Sequence, residues 1–178
     1  MLSHLTQSFF EDKIMQKRYF VPLVLIFAMV MFVMTVGVVH AEGDGLIVKK
    51  SDFGVIKTLD RLGIALERAG IKVFSRIDHA KGAKSVGMDL QPTAVIIFGT
   101  PKIGTPLMAS NPKIGLDLPL KALAWQAADG TVMLAYTDPA WLAKRYGIED
   151  RDKVFKKMTG ALAKFTDMAT KLGGLPVQ

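Results

Sequence analysis

The segment from Pro92 to Pro119 constrains the fold most strongly, because it joins a short apolar run to a stretch rich in glycine and proline. Residues 94–98 (Ala-Val-Ile-Ile-Phe) are all apolar, and Gly99-Thr100-Pro101 ends the run. An apolar run of this length bounded by turn residues predicts a buried strand. We expect it to be covered on both faces and central in its sheet. The residues that follow are predicted to form a loop at one edge of that sheet, where binding groups tend to lie.

The N-terminus has the order of a secretory signal. Lys13, Lys17 and Arg18 precede an apolar run over residues 19–39, and Val39-His40-Ala41 ends it with small or modest side chains. We predict that residues 1–41 are a signal peptide cleaved after Ala41. The alternative is an N-terminal membrane anchor, since the run is long enough to span a bilayer about 30 Å thick. Both alternatives predict an apolar leader helix and place the remaining chain outside the cytoplasm, as an exported, periplasmic or secreted domain.

Residues 42–178 are predicted to be one α+β domain with a core over about residues 46–172. Without the three basic and two acidic leader residues, this part carries 20 Lys and Arg against 14 Asp and Glu. The excess of positive charge is spread along the chain with no dense basic run, so nucleic acid is not an expected partner. The chain has no cysteine, which excludes thiol catalysis, thiolate metal sites and disulfides.

Hydrophobic periodicity divides the domain into five strands and two long helices. The predicted strands cover residues 45–50, 71–77, 94–98, 118–127 and 131–136, and the last two are joined through Asp129-Gly130 as a hairpin. The predicted helices cover residues 51–70 and about 150–172, with a short irregular helix or turn at 80–88 and a short helix after Asp138. This order predicts a mixed sheet, made of a split β-α-β unit and a C-terminal hairpin, with helices packed mainly on one face. Trp125 and Tyr136 lie on the two hairpin arms, where they could be cross-strand partners.

Asp78 and His79 form the first candidate site. A carboxylate beside a histidine can orient it as a base or a metal ligand. The alternative is structural: Asp78 would cap the turn that follows, and His79 would pack at the end of a strand.

The segment after the third strand supplies a second candidate. Lys102 and Thr105 lie beside Gly99 and Gly104, where a backbone could approach an anion closely. The alternative is a proline-stiffened loop with a solvated lysine, and GTPKIGT is not the phosphate-binding GxxxxGK[ST] pattern.

Metal and catalytic sites receive weaker support. His79 with Met108 could bind haem or copper, but the expectation is no cofactor and no metal. Asp117 is the only second catalytic group that can be nominated for His79, and a turn or cap role is the preferred account of it, as it is for Asp138.

The ordered motifs of residues 46–172 resemble the domain of unknown function 302 family. The matching residues are Ile77-Asp78-His79-Ala80, Pro92-Thr93, Phe98-Gly99-Thr100-Pro101-Lys102, Gly104-Thr105-Pro106-Leu107-Met108, Leu116-Asp117-Leu118-Pro119-Leu120-Lys121, Trp125 and Tyr136-Thr137-Asp138-Pro139. Thr100 departs from the family, which more often has Asn in its FGNPK segment. The resemblance implies a small α+β domain, commonly a dimer, in which the Asp78-His79 turn, the 101–108 loop and the 117–119 segment line one pocket. It implies no activity.

Three hypotheses follow, in order of preference. The first is an exported binding or accessory module for a small anionic or amphiphilic ligand, held by Asp78, His79, Lys102, Thr105, Met108 and Asp117. The second is a structural or interaction homodimer of the cell envelope. The third is an enzyme with His79 as general acid or base and Asp117 as its partner. A non-enzymatic role is preferred, and contact with a membrane is expected only through an uncleaved leader.

Overall fold

The computed structural model describes residues 43–173, so the predicted leader and its cleavage site lie outside the described residues. The described domain begins at Gly43 and contains five strands, five α-helices and one 3-10 helix. The strands are β1 (Leu46–Ser51), β2 (Lys72–Asp78), β3 (Thr93–Gly99), β4 (Leu120–Gln126) and β5 (Val132–Thr137). The helices are α1 (Val55–Arg68), α2 (His79–Ser85), α3 (Pro101–Ser110), the 3-10 helix (Pro112–Leu116), α4 (Pro139–Tyr146) and α5 (Asp152–Thr170).

The α+β architecture and the five strands are confirmed, but the mixed sheet is wrong. The strand order is β1-β5-β4-β3-β2, and all four pairings are antiparallel. The two strands of the split β-α-β unit, β1 and β2, point the same way but lie at opposite edges. Because β3 and the β4–β5 hairpin are inserted between them, no parallel pair forms. The expected central position of β3 is also wrong, since β4 is the middle strand and β3 lies next to the edge strand β2.

Helices α1 and α5 cover one face of the sheet and form the main core with it. Leu59, Leu62 and Leu66 recur on one face of α1 and are almost fully buried. They pack with Ile96 of β3 and Leu162 of α5 in one apolar cluster. The apolar periodicity that predicts both long helices therefore corresponds to the faces with which they pack on the sheet.

The other face of the sheet carries an apolar row across all five strands. Cross-strand register aligns Val48 with Ala135, Ala135 with Leu123, Leu123 with Val95, and Val95 with Ile77. Val48 and Ile77, on the two edge strands, are each 44% exposed. This face is therefore apolar at its centre and open at both edges.

The predicted pairing of Trp125 with Tyr136 is wrong. Trp125 lies opposite Met133, whereas Tyr136 lies opposite Ala122 and belongs to the core beneath the helices. Since side chains alternate between faces along a strand, this register puts the two aromatic rings on opposite faces of the sheet.

The glycine- and proline-rich segment after β3 is predicted to be a loop. This prediction is wrong, because the segment contains α3 and the 3-10 helix. Pro101 occupies the first turn of α3, where its missing N–H costs nothing. Pro106 lies inside the helix and removes one backbone hydrogen bond. Leu107 and Ile114 are fully buried in a second apolar cluster with the start of α5, and this burial offsets the cost of the proline.

A matched pair of isoleucines tests the assignment of the core. Ile96→Ala removes a fully buried side chain from β3 and should lower the free energy of unfolding by about 2–5 kcal/mol. Ile64→Ala makes the same chemical change on α1, where the side chain is 42% exposed, and should change stability by at most about 0.5 kcal/mol. Urea unfolding of the two variants measures both values. Equal losses would contradict the assigned packing of α1 on the sheet.

Candidate functional site

A cavity of about 720 Å³ lies where one end of the sheet meets α3 and α5. This volume falls within the range of small-ligand pockets, about 300–1,000 Å³. The sheet contributes the start of β2, the end of β3 and the start of β4. The apolar side chains in its wall include Ile71, Phe98, Ile103, Leu120, Leu162 and Phe165. Several of these also belong to the main core, so the cavity floor is continuous with the core.

Phe74 lines the cavity because β2 contains a bulge. Val73 pairs with Phe98 and Ser75 pairs with Ile97, which leaves Phe74 as an extra residue between two consecutive pairs. A bulge of this kind re-aims a side chain that regular alternation would direct elsewhere. Phe74 is 48% exposed, and its ring centroid lies 5.2 Å from the Lys72 ammonium, within reach of a cation–π contact.

The charged groups of the cavity wall are all positive. Lys102 at the start of α3 and Lys157 on α5 line it, and no aspartate or glutamate does. Neither lysine forms an ion pair or a side-chain hydrogen bond within residues 43–173. An anion at the cavity would therefore meet two cations that have no competing carboxylate partner.

The N-terminus of α3 adds hydrogen-bonding capacity at the same place. Thr100 precedes the helix, and its carbonyl accepts the amides of Ile103 and Gly104. Pro101 has no N–H, and the Lys102 amide donates to no acceptor in the described part of the chain. One backbone donor and the positive end of a helix dipole thus accompany the two ammonium groups.

Three of the residues nominated from sequence line this cavity: Lys102, Thr105 and Met108. Asp78 and His79 do not. Asp78 pairs with Ala94 at the far end of β3, whereas Lys72 pairs with Gly99 beside α3. The six residue steps between Lys72 and Asp78 correspond to roughly 20 Å of strand. The expectation that the Asp78-His79 turn shares a pocket with the 101–108 segment is therefore wrong.

The structural alternative for Asp78 matches its observed contacts. Its carboxylate accepts the backbone amide of Lys81 at 2.9 Å and caps α2. His79 is exposed at the first position of that helix, and its side chain makes no hydrogen bond or ion pair within residues 43–173. No described group orients it as an acid or base.

Asp117 lies at the cavity end of the sheet, away from His79, and its carboxylate is occupied. It accepts a hydrogen bond from the Tyr146 hydroxyl at 2.5 Å and lies 3.7 Å from Arg145 Nε. Since Asp117 precedes β4 and β4 begins opposite Phe98, the length of the sheet separates it from His79. The two residues therefore cannot act as a catalytic pair in one site.

The distance along the sheet also excludes a metal site shared by His79 and Met108. Met108 lies in α3 at the cavity end, so it cannot share an ion with His79. Within residues 43–173, no three potential metal-ligating His, Cys, Asp or Glu side chains cluster.

None of the helices in this part of the chain combines the length and apolarity needed to cross a bilayer.

Comparison with known proteins agrees with the fold. The family model "Domain of unknown function DUF302" matches residues 47–165. The chain belongs to this family. A crystal structure of an uncharacterized DUF302 protein from Bacillus stearothermophilus superposes with a TM-score of 0.65 at 18% identity, over 72% of this chain and all of that one. The match covers the whole of that chain, so that crystallised chain consists of this fold alone.

Curated relatives of this DUF302 domain are named as ion channels and not as DUF302 proteins. "Fluoride-specific ion channel FluC 1" from Brucella suis is 43% identical over 126 residues, which cover 68% of this chain and 50% of that protein. The protein of the same name from Brucella abortus is also 43% identical, with 47% of its length covered. The chain thus spans about half the length of the curated relatives it matches, and the activity in their names belongs to those proteins.

Sequence reasoning missed Phe74 and the residues that α5 supplies. The spacing of Met158, Leu162 and Phe165 puts them on one apolar face of α5, but it does not show that part of this face borders a cavity. Lys157 also lies at the cavity wall, although a lysine on an amphipathic helix is typical of the solvated face. No sequence signal marks the bulge at Phe74.

The contact between Tyr146 and Asp117 predicts a pH dependence. The hydrogen bond to the Asp117 carboxylate, followed by desolvation, raises the pKa of Tyr146 above its ordinary value of 10.0. The folded state therefore favours the neutral phenol, and this stabilisation is lost as the pH rises above 10. Urea unfolding between pH 8 and pH 11 should show that wild type loses stability with pH more steeply than Tyr146→Phe. Parallel curves would contradict the contact.

Proposed function

We propose that this is an exported protein whose DUF302 domain binds a small amphiphilic anion in the cavity between α3, α5 and the end of the sheet. The observation that carries the proposal is the composition of the cavity wall. An apolar floor is combined with two unpaired lysines, and the wall contains no acidic residue. A ligand with one apolar chain and one carboxylate or phosphate group satisfies both parts.

The apolar part of such a ligand would replace water against the core. Phe98, Leu162 and Phe165 offer aromatic and aliphatic surface, and apolar burial contributes about 25 cal/mol per Å². Met108 adds an unbranched, polarisable side chain that adapts to chains of different shape. These contacts supply affinity but little selectivity between head groups.

The charged part would select for an anion. The ammonium groups of Lys102 and Lys157 and the free amide of Lys102 are the donors at the wall. Lysine donates from a flexible stem as a point charge, unlike the fixed fork of arginine. The site should therefore accept carboxylate and phosphate head groups alike and reject a neutral alcohol of the same chain length.

Export is proposed on the sequence of the N-terminus. The basic, apolar and small-residue segments stand in the order of a secretory signal. An exported domain would meet amphiphiles released from membranes.

Calorimetric titration of the isolated domain, residues 43–178, with dodecanoate tests the ligand class. The variant Lys102→Ala/Lys157→Ala should bind dodecanoate about tenfold more weakly than wild type, since it loses two charged donors at a partly solvated site. The control Lys81→Ala/Lys84→Ala removes two lysines at the other end of the sheet and should leave affinity unchanged. Dodecanol should bind wild type as weakly as dodecanoate binds the double variant.

A variant that fills the cavity gives a second test by the same titration. Ala161→Trp places an indole at the cavity wall and should abolish dodecanoate binding while the circular dichroism spectrum stays that of wild type. Equal dodecanoate affinity in wild type, Lys102→Ala/Lys157→Ala and Ala161→Trp would overturn the proposed site.

A further inference from the structure

Two large apolar side chains that line the cavity are partly exposed, and a third exposed one belongs to a segment that contacts them. Leu116, at the end of the 3-10 helix, is 81% exposed, Phe74 is 48% exposed and Met108 is 39% exposed. Phe74 and Met108 line the cavity, and the Met108 sulfur lies 3.5 Å from the position that a Cβ on Gly115 would occupy, next to Leu116. Exposed apolar groups that share one rim mark an interaction surface, unlike scattered single residues.

A lysine stripe borders the same rim. The α5 sequence from Lys153 to Lys164 contains four lysines and no acidic residue. Lys153, Lys157 and Lys164 follow one another at spacings of four and seven, so they share one side of the helix. Lys157 lines the cavity, which places this stripe along the mouth, with Lys102 at the start of α3 as a further cation.

The opposite end of the sheet offers a useful contrast. Val86 (71%) and Met88 (65%) are also exposed apolar residues. The two lysines near them, on α2, are accompanied by two aspartates, Asp78 and Asp89. Apolar exposure is therefore present at both ends of the sheet. At the cavity end, Lys102 and the lysine stripe outnumber the one aspartate beside Leu116, Asp117, whose carboxylate is already held by Tyr146 and Arg145. At the other end, the two lysines and two aspartates balance.

We infer that the cavity mouth docks on the face of an anionic lipid bilayer, with Leu116, Phe74 and Met108 entering the interfacial layer and the lysine stripe meeting the head groups. Apolar tips flanked by lysines are the combination that binds peripheral proteins to anionic membranes. A protein partner fits less well, because lysine is depleted in protein interfaces. Docking in this orientation would open the cavity towards the membrane, the source of amphiphilic anions.

Vesicle sedimentation of the isolated domain tests this surface. Wild type should bind phosphatidylglycerol vesicles and not phosphatidylcholine vesicles, and added salt should release it. Lys153→Glu/Lys164→Glu, which changes neither cavity lysine, should lower partitioning at least tenfold, since one basic residue near an anionic surface contributes about fivefold. Leu116→Asp should lower it severalfold.

Matched variants at the other end of the sheet decide which surface docks. Lys81→Glu/Lys84→Glu makes the same charge change, and Val86→Asp makes a similar change at a similarly exposed apolar residue. Both should bind vesicles as wild type does. If they lose binding as strongly as the mouth variants, or if wild type binds both lipids equally, the inference is overturned.

The cavity-filling variant separates this inference from the proposed ligand. Ala161→Trp should lose dodecanoate but keep its affinity for phosphatidylglycerol vesicles, because the docking residues are unchanged. Circular dichroism of each variant establishes that it is folded. Loss of vesicle binding in a folded Ala161→Trp would show that vesicle binding is lipid uptake by the cavity, and would overturn docking as a separate step.

Discussion

The packing of α5 along the domain is the interaction on which the rest of the structure depends. Its C-terminal half, through Leu162 and Ala169, joins the core that α1 forms with the sheet. Its N-terminal half, through Phe155 and Met158, joins the second cluster with α3, the 3-10 helix and α4. The cavity lies beside the middle of the helix, where Met158, Ala161 and Phe165 line it. One amphipathic helix thus connects two cores and forms a wall of the candidate site.

Much of this fold could be predicted because its elements have strong local signals. The apolar run of β3, the periodicity of α1 and α5 and the turn at Asp129-Gly130 each follow from backbone and packing preferences that act over a few residues. Strand order does not follow from such local preferences, because β1 and β2 are neighbours along the chain but lie at opposite edges of the sheet. The helix at residues 101–110 does not follow from local signals either, because the burial of Leu107 outweighs the helix-breaking tendency of Pro106.

Part of the candidate site could be predicted because its position follows from local sequence signals. Lys102, Thr105 and Met108 follow β3 directly, so their position at one end of the sheet was a local inference. The Asp78-His79 turn follows β2, which runs antiparallel to β3, so it lies at the opposite end. Phe74 and Lys157 reach the cavity only through a bulge and a long-range helix contact, neither of which has a sequence signal. Cleavage after Ala41 and formation of a homodimer stay predictions.

Native mass spectrometry of the exported protein, recovered from its own cells without denaturant, tests the central claim most directly. The account predicts a bound mass on wild type that is reduced in Lys102→Ala/Lys157→Ala, absent in Ala161→Trp and unchanged in His79→Ala. The same spectra give the N-terminus, which should be Glu42. A bare wild-type protein, or a bound mass lost only from His79→Ala, would contradict the cavity as the binding site.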